Sequence, residues 1–272
     1  ETPVAETVSA LEGLKKAGKI RQYGLGHLPF ERVQEYSRTG KPFSILMELS
    51  AVERAARKDL LPHCQEAGLA AIAFSVTGRG LLTGRFAGGK AFEKGDIRNI
   101  DPLFQRERFQ SGLRIARRLA ETGLKYGKTP AQVAAAWVLA QPGVTCALTG
   151  PSSVEHLEEN LGGSGWRIDN EEMASLEAFL CREQAALENQ QRASVAQILS
   201  GALPVEPAQA FTDLIYALET ALITGMVAEK EAMPAFYELF ELRNGLDNLA
   251  SSDKLKAAQA QLNRLILPAS EV

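Results

Sequence analysis

Short apolar runs separated by stretches of helical spacing constrain the fold of this sequence more than any other feature. The runs are residues 20–25, 43–49, 69–74 and 145–148. Between them, residues 4–17 (Val8, Leu11 and Leu14 on one face), 29–37, 58–66, 104–126, 129–139 and 153–160 read as helices. Gly18 and Gly68 sit where a helix should stop, and Pro130 where one should start. Apolar strands alternating with helices predict βαβ units around a parallel sheet. About four such strands are half of what an eight-stranded barrel holds, and such a barrel takes roughly 250 residues. The predicted fold class is therefore α/β: an incomplete TIM-type (β/α) barrel over residues 1–182.

After Arg182 the texture becomes helical only, which predicts a second domain at 183–272, a small all-α bundle. Residues 186–200 form one helix, and Gly201-Ala202-Leu203-Pro204 breaks the chain. Pro207 begins a second helix, with Phe211, Leu214, Ile215, Leu218, Leu222 and Met226 in one stripe. Pro234 begins a third, with Phe236, Leu239, Phe240 and Leu246 inward. Ser252-Asp253 cap a fourth carrying Leu255, Leu262, Leu265 and Ile266. Charge divides at the same place: residues 183–272 hold 6 Lys+Arg against 12 Asp+Glu, while residues 1–182 hold 24 against 21.

Composition removes several classes of function. A net charge of -3 gives no general attraction to nucleic acid or to an anionic membrane surface. No apolar run approaches the ~18 residues of a membrane-spanning helix. Three distant cysteines, Cys64, Cys146 and Cys181, have no metal-ligand spacing and predict buried thiols in a reducing cytoplasm. The arginines of the 104–126 helix (Arg106, Arg108, Arg114, Arg117, Arg118) are mixed with Glu107 and lack an aromatic platform. They read as a solvated or interface face rather than a nucleic-acid patch.

Three glycine-bearing stretches follow predicted strands, where α/β folds place ligands. In Thr149-Gly150-Pro151-Ser152-Ser153 a turn leads into a helix whose free N–H groups and hydroxyls suit an anion. His156, Glu159 and Asn160 share a face with that turn. The same residues also read as a plain N-cap with solvated polar side chains. In Phe74-Ser75-Val76-Thr77-Gly78-Arg79-Gly80 through Arg85, followed by Arg98, glycines allow close backbone approach and arginines suit phosphate. Gly24-Leu25-Gly26-His27 is the weakest of the three. His63 reads as exposed or capping on an outer helix.

The order of motifs resembles the aldo-keto reductases. It rests on Gly18-Lys19-Ile20-Arg21 with Gly24, Leu60-Leu61-Pro62 with Cys64 and Gly68, and Arg79-Gly80-Leu81-Leu82-Thr83-Gly84-Arg85. Thr129-Pro130-Ala131-Gln132-Val133-Ala134, Ala136-Trp137-Val138-Leu139 and Gly150 through Asn160 complete it. Over about residues 2–180 this corresponds to the last four βα units of that family's barrel. The resemblance implies NADP(H) in extended form. Phe74 would stack on the nicotinamide, with Ser75, Gly80, Arg85 and Arg98 around the pyrophosphate. Gly150, Ser152, Ser153, His156, Glu159 and Asn160 would surround the adenosine and its 2′-phosphate. The family's catalytic tyrosine, lysine, aspartate and histidine lie in units not present here, so the resemblance assigns no catalytic residue. Gly26-His27 stands where the family has Ser-Asn, Leu46 where it has Gln, and Val76-Thr77 where it has Pro-Leu. Those departures erode the nicotinamide end and weaken the NADP(H) expectation.

Two functions follow as expectations. One is the cofactor-binding half of a carbonyl reductase, inactive alone and completed by a second chain or copy. The other is a non-catalytic pseudoenzyme serving as an interaction or assembly module. A nucleotide sensor acting on the helical part is a further possibility that no single residue demands.

Overall fold

The computed structural model describes residues 2–89, 92–243 and 251–267. The chain divides into two compact units, Glu1–Gly88 with Leu113–Glu177, and Gly89–Gly112 with Ala178–Val272.

The first unit is built on a parallel sheet with strands in chain order: β1 (Gly24–Leu25), β2 (Ser44–Glu48), β3 (Ala70–Phe74) and β4 (Val144–Ala147). The helices are α1 (Val4–Lys16), α2 (Phe30–Thr39), α3 (Leu60–Ala67), α4 (Arg106–Tyr126), α5 (Pro130–Leu139), α6 (Val154–Leu161) and α7 (Asn170–Ser200). Gly68 ends α3 at φ 65°, a left-handed turn that glycine adopts without strain. Thr129 and Gln132 form a reciprocal capping box at the start of α5. The sequence reading placed α1 to α6 within two residues of their ends. It overextended β1, since only Gly24 and Leu25 pair with Ser44 and Ile45.

Burial along the strands alternates. Ile45 and Met47 of β2 and Ala71 and Ala73 of β3 are fully buried, beside Leu61 and Cys64 of α3 and Trp137 of α5. The opposite phase, Leu46, Glu48, Ile72, Phe74 and Cys146, is only half-buried. Register sets Leu46 beside Ile72, Glu48 beside Phe74, and Ile72 beside Cys146.

The second unit contains the 92–112 stretch, the later part of α7, α8 (Pro207–Ile223), α9 (Glu229–Arg243) and α10 (Ser251–Ile266). Phe211, Leu214, Leu218, Leu239, Leu255 and Leu262 share one core, against which Ile215, Leu222, Met226, Phe236 and Leu265 pack.

Three readings need correction. Residues 186–200 are not a separate helix: without Gly or Pro between 170 and 200, α7 runs unbroken for 31 residues. Pro234 lies inside α9 rather than starting it, because the helix already begins five residues earlier. Phe240 is 56% exposed, not inward. Leu246 lies outside the described residues, and α10 begins at Ser251, one position before the predicted cap.

Candidate functional site

The C-terminal ends of the strands carry the candidate residues because a parallel sheet delivers all its strand ends to one edge. After β3 the chain enters a run of left-handed conformations: Ser75 (φ 56°), Gly78 (56°), Arg79 (54°), Gly80 (90°) and Gly84 (83°). Two of these are not glycine, which marks a turn held by its surroundings. A Cβ on Gly80 would come within 2.5 Å of the Arg85 guanidinium, so glycine is what lets Arg85 lie across the turn. The guanidinium also sits 4.7 Å over the Phe86 ring.

Beyond the end of β1, two strands away, His27 meets Phe74 edge-on, with ring centroids 5.3 Å apart. The sheet thus brings together the stacking candidate and the residue that departs from the family pattern. Beside them Arg79 Nη2 donates to Glu48 Oε2 at 3.2 Å and lies 2.9 Å from Oε1. The sequence reading missed this pair; its signal was a carboxylate ending an apolar strand and an arginine between two glycines.

After β4, the Gly150 turn leads to Ser153, whose hydroxyl accepts the His156 N–H (3.2 Å) and caps α6. The Ser152 hydroxyl lies 3.0 Å from His156 Nδ1. The Glu155 carboxyl is held below its usual range by its own backbone N–H and the Ser153 hydroxyl. Gln132 Nε2 donates to the Glu159 carbonyl at 2.9 Å, tying α6 to α5. Ser152, Ser153 and His156 are exposed, while Glu159 and Asn160 are half-buried. Capping and an anion-facing helix start are therefore compatible here: Ser153 caps, while Ser152 and His156 remain accessible.

Arg98 belongs to the second unit. Asp96 takes its Nε and Nη2 edge through hydrogen bonds of 2.5–3.1 Å and raises its pKa. Its Cζ lies 4.6 Å over the Phe92 ring. His63 is half-buried rather than exposed: Nε2 lies 3.1 Å from the Ser37 hydroxyl, and the ring meets Phe30 edge-on. Burial pushes the Cys64 thiol up to about 11, which leaves it protonated and unreactive. Among the described residues no helix is long and apolar enough to cross a membrane, and no group of His, Cys, Asp or Glu could hold a metal.

Three of the α4 arginines make intramolecular ion pairs, while Arg114 and Arg117 are exposed, as a solvated face requires. In the second unit Arg106 pairs with Asp213 (2.8 Å) and Arg108 with Glu219 (2.9 Å). In the first, Arg118 and Lys125 converge on buried Glu172.

The Aldo/keto reductase family model matches residues 1–180. An aldo-keto reductase of Bacillus subtilis is 30% identical over 179 residues, covering 65% of this chain and 54% of that protein. The NADH-specific methylglyoxal reductase of Escherichia coli is 31% identical over 184 residues, covering 68% and 54%. Among solved structures, the glycerol dehydrogenase of Gluconobacter oxydans superposes with a TM-score of 0.62 at 30% identity, covering 67% of this chain and 55% of that one. The fold is thus of the α/β TIM type. The chain spans about half the length of the relatives it matches.

Proposed function

Since this chain belongs to the aldo/keto reductase family across residues 1–180, we propose that it is the nucleotide-holding half of an NADP(H)-dependent carbonyl reductase barrel, inactive unaided. The observation that carries this reading is convergence at one sheet edge. The His27–Phe74 rings, the left-handed turn with Gly80 under Arg85, and the capped start of α6 all follow strands of one parallel sheet. The residues fit the phosphate and adenosine end. Gly80 keeps the turn open; Ser75 and Arg85 would hold a pyrophosphate, and Gly150, Ser152, Ser153, His156, Glu159 and Asn160 the adenosine, with Phe74 against the nicotinamide. When bound, the dinucleotide would supply hydride to a carbonyl carbon.

No catalytic residue is assigned in this chain; the proton donor belongs to the rest of the barrel. That remainder is a second chain, a second copy or further residues of the same polypeptide. The half-buried phase of the sheet, with Leu46, Ile72 and Phe74, supports a barrel interior awaiting cover. So does the exposed Leu148 beyond β4, and the exposed stripe Val154, Leu157 and Leu161 on α6 supports further cover on the outer, helical layer. The helical second unit is a small bundle appended to this half-barrel.

His27, where the family presents a nicotinamide contact, favours a second reading: an assembly module that has lost its chemistry. Native mass spectrometry of the intact protein with and without NADPH separates the two. A bound-nucleotide mass, together with a longer polypeptide or second chain, is the expected result. A full-length species that takes up no NADPH sinks the reductase reading and leaves the module.

A further inference from the structure

We infer that Asp213, Tyr216 and Glu219 of α8 are positioning residues that clamp the first turn of α4 and so hold the stretch presenting Arg98. A row of contacts inside the second unit leads from one to the other. Arg98 lies over Phe92, Phe92 meets Phe104 edge-on at 5.3 Å, and Phe104 is fully buried, with Ile100 packed on the helical core. Two residues beyond Phe104, Arg106 holds a φ of 45°, a left-handed conformation disfavoured for a side chain that long. Asp213 grips its guanidinium at 2.8 Å, which is what such a conformation needs to persist. The next two residues are gripped as well: Tyr216 donates its hydroxyl to Glu107 at 2.7 Å, and Arg108, only 4% exposed, pairs with Glu219.

Part-buried ion pairs add little net stability, but two pairs flanking the Glu107–Tyr216 hydrogen bond favour one placement of the turn. Each α8 partner lies beyond residue 180, outside the family-matched region. Asp96 occupies the Nε/Nη2 edge of Arg98, so the stretch is also pinned locally, away from α4.

Hydrogen exchange on the whole chain tests the clamp, comparing wild type with the Asp213→Asn/Glu219→Gln variant and with Tyr216→Phe. Amides of residues 92–105 should exchange about tenfold faster in the double variant and less so in Tyr216→Phe, while α8 and α10 keep their protection. Unchanged exchange at 92–105 overturns the clamp. The conservative Asp213→Glu/Glu219→Asp variant keeps both carboxylates and should exchange at residues 92–105 within about threefold of wild type. Exchange there as fast as in the Asn/Gln variant overturns the assignment of the clamp to these charges.

Discussion

The two units bury charge alike but use their loops differently. In the first, Glu172 gathers Thr122, Arg118 and Lys125, and Glu177 gathers Arg57 and the Trp137 Nε1–H (2.8 Å); both clusters tie helices together. At the sheet edge the post-β3 turn combines left-handed backbone with the Arg79–Glu48 pair, and the α6 start has its cap. In the second unit ion pairs at Arg106 and Arg108 hold the first turn of α4, where the stretch from residue 92 ends. A parallel sheet aligns its own loops, because every strand ends at the same edge. A loop set against helices has no such alignment and must be held by side chains.

The largest effects should come from the cores. Trp137→Ala should cost about 3–5 kcal/mol in urea unfolding, and Leu214→Ala in the second unit about 2–5 kcal/mol. Were both to melt the chain in one identical transition, the contrast between units would lose its thermodynamic meaning. Next, Glu219→Ala removes the partner of buried Arg108 and should cost about 2–3 kcal/mol, below the full buried-pair range because Glu219 is part-exposed.

Acid should separate the units too. Burial alone would raise the Glu172 pKa, but hydrogen bonds from Lys125, Thr122 and Arg118 outweigh it and hold the value at about 2 against 4.5 for the free side chain. The folded state therefore binds fewer protons. This contribution is complete above the unfolded value and fades as pH falls through the window from 4.5 to about 2. Glu172→Gln should flatten the loss of stability over that window; an unchanged slope would show the cluster to be energetically idle.

Gly80→Ala should cost about 1–2 kcal/mol, from its φ of 90° and the clash with Arg85, and should weaken NADPH binding. Smallest of all, Ser153→Ala should cost about 1 kcal/mol through the lost α6 cap. If Ser152→Ala weakens NADPH binding without that stability cost, the anion-facing role is sharpened.

Much of the fold was legible in the sequence because its signals are local. Thr129-Pro130 with Gln132 specifies a capped helix start, Gly68 a left-handed stop, and the apolar runs their strands. Ser153 was readable as a cap, and the glycine turn before Arg85 as a place of close approach. The long α7 was misjudged at the change in composition near Arg182, although no helix-breaking residue stands there. Pro234 was misread because proline usually opens a helix, and only the packing of Ala232, Ala235 and Leu239 into the core shows the helix continuing through it.

The sequence by itself determined which segments are strands and helices, which family residues 1–180 resemble, and which loops could meet a phosphate. Only the tertiary structure decided that His27 meets Phe74, that Arg85 lies over Gly80, and that Arg106, Arg108 and Arg118 pair with Asp213, Glu219 and Glu172. The reason is range. Helix stops, caps and strand patterns are written within a few residues, whereas a buried charge finds its partner 50–110 positions away, and nothing in either local sequence names the other.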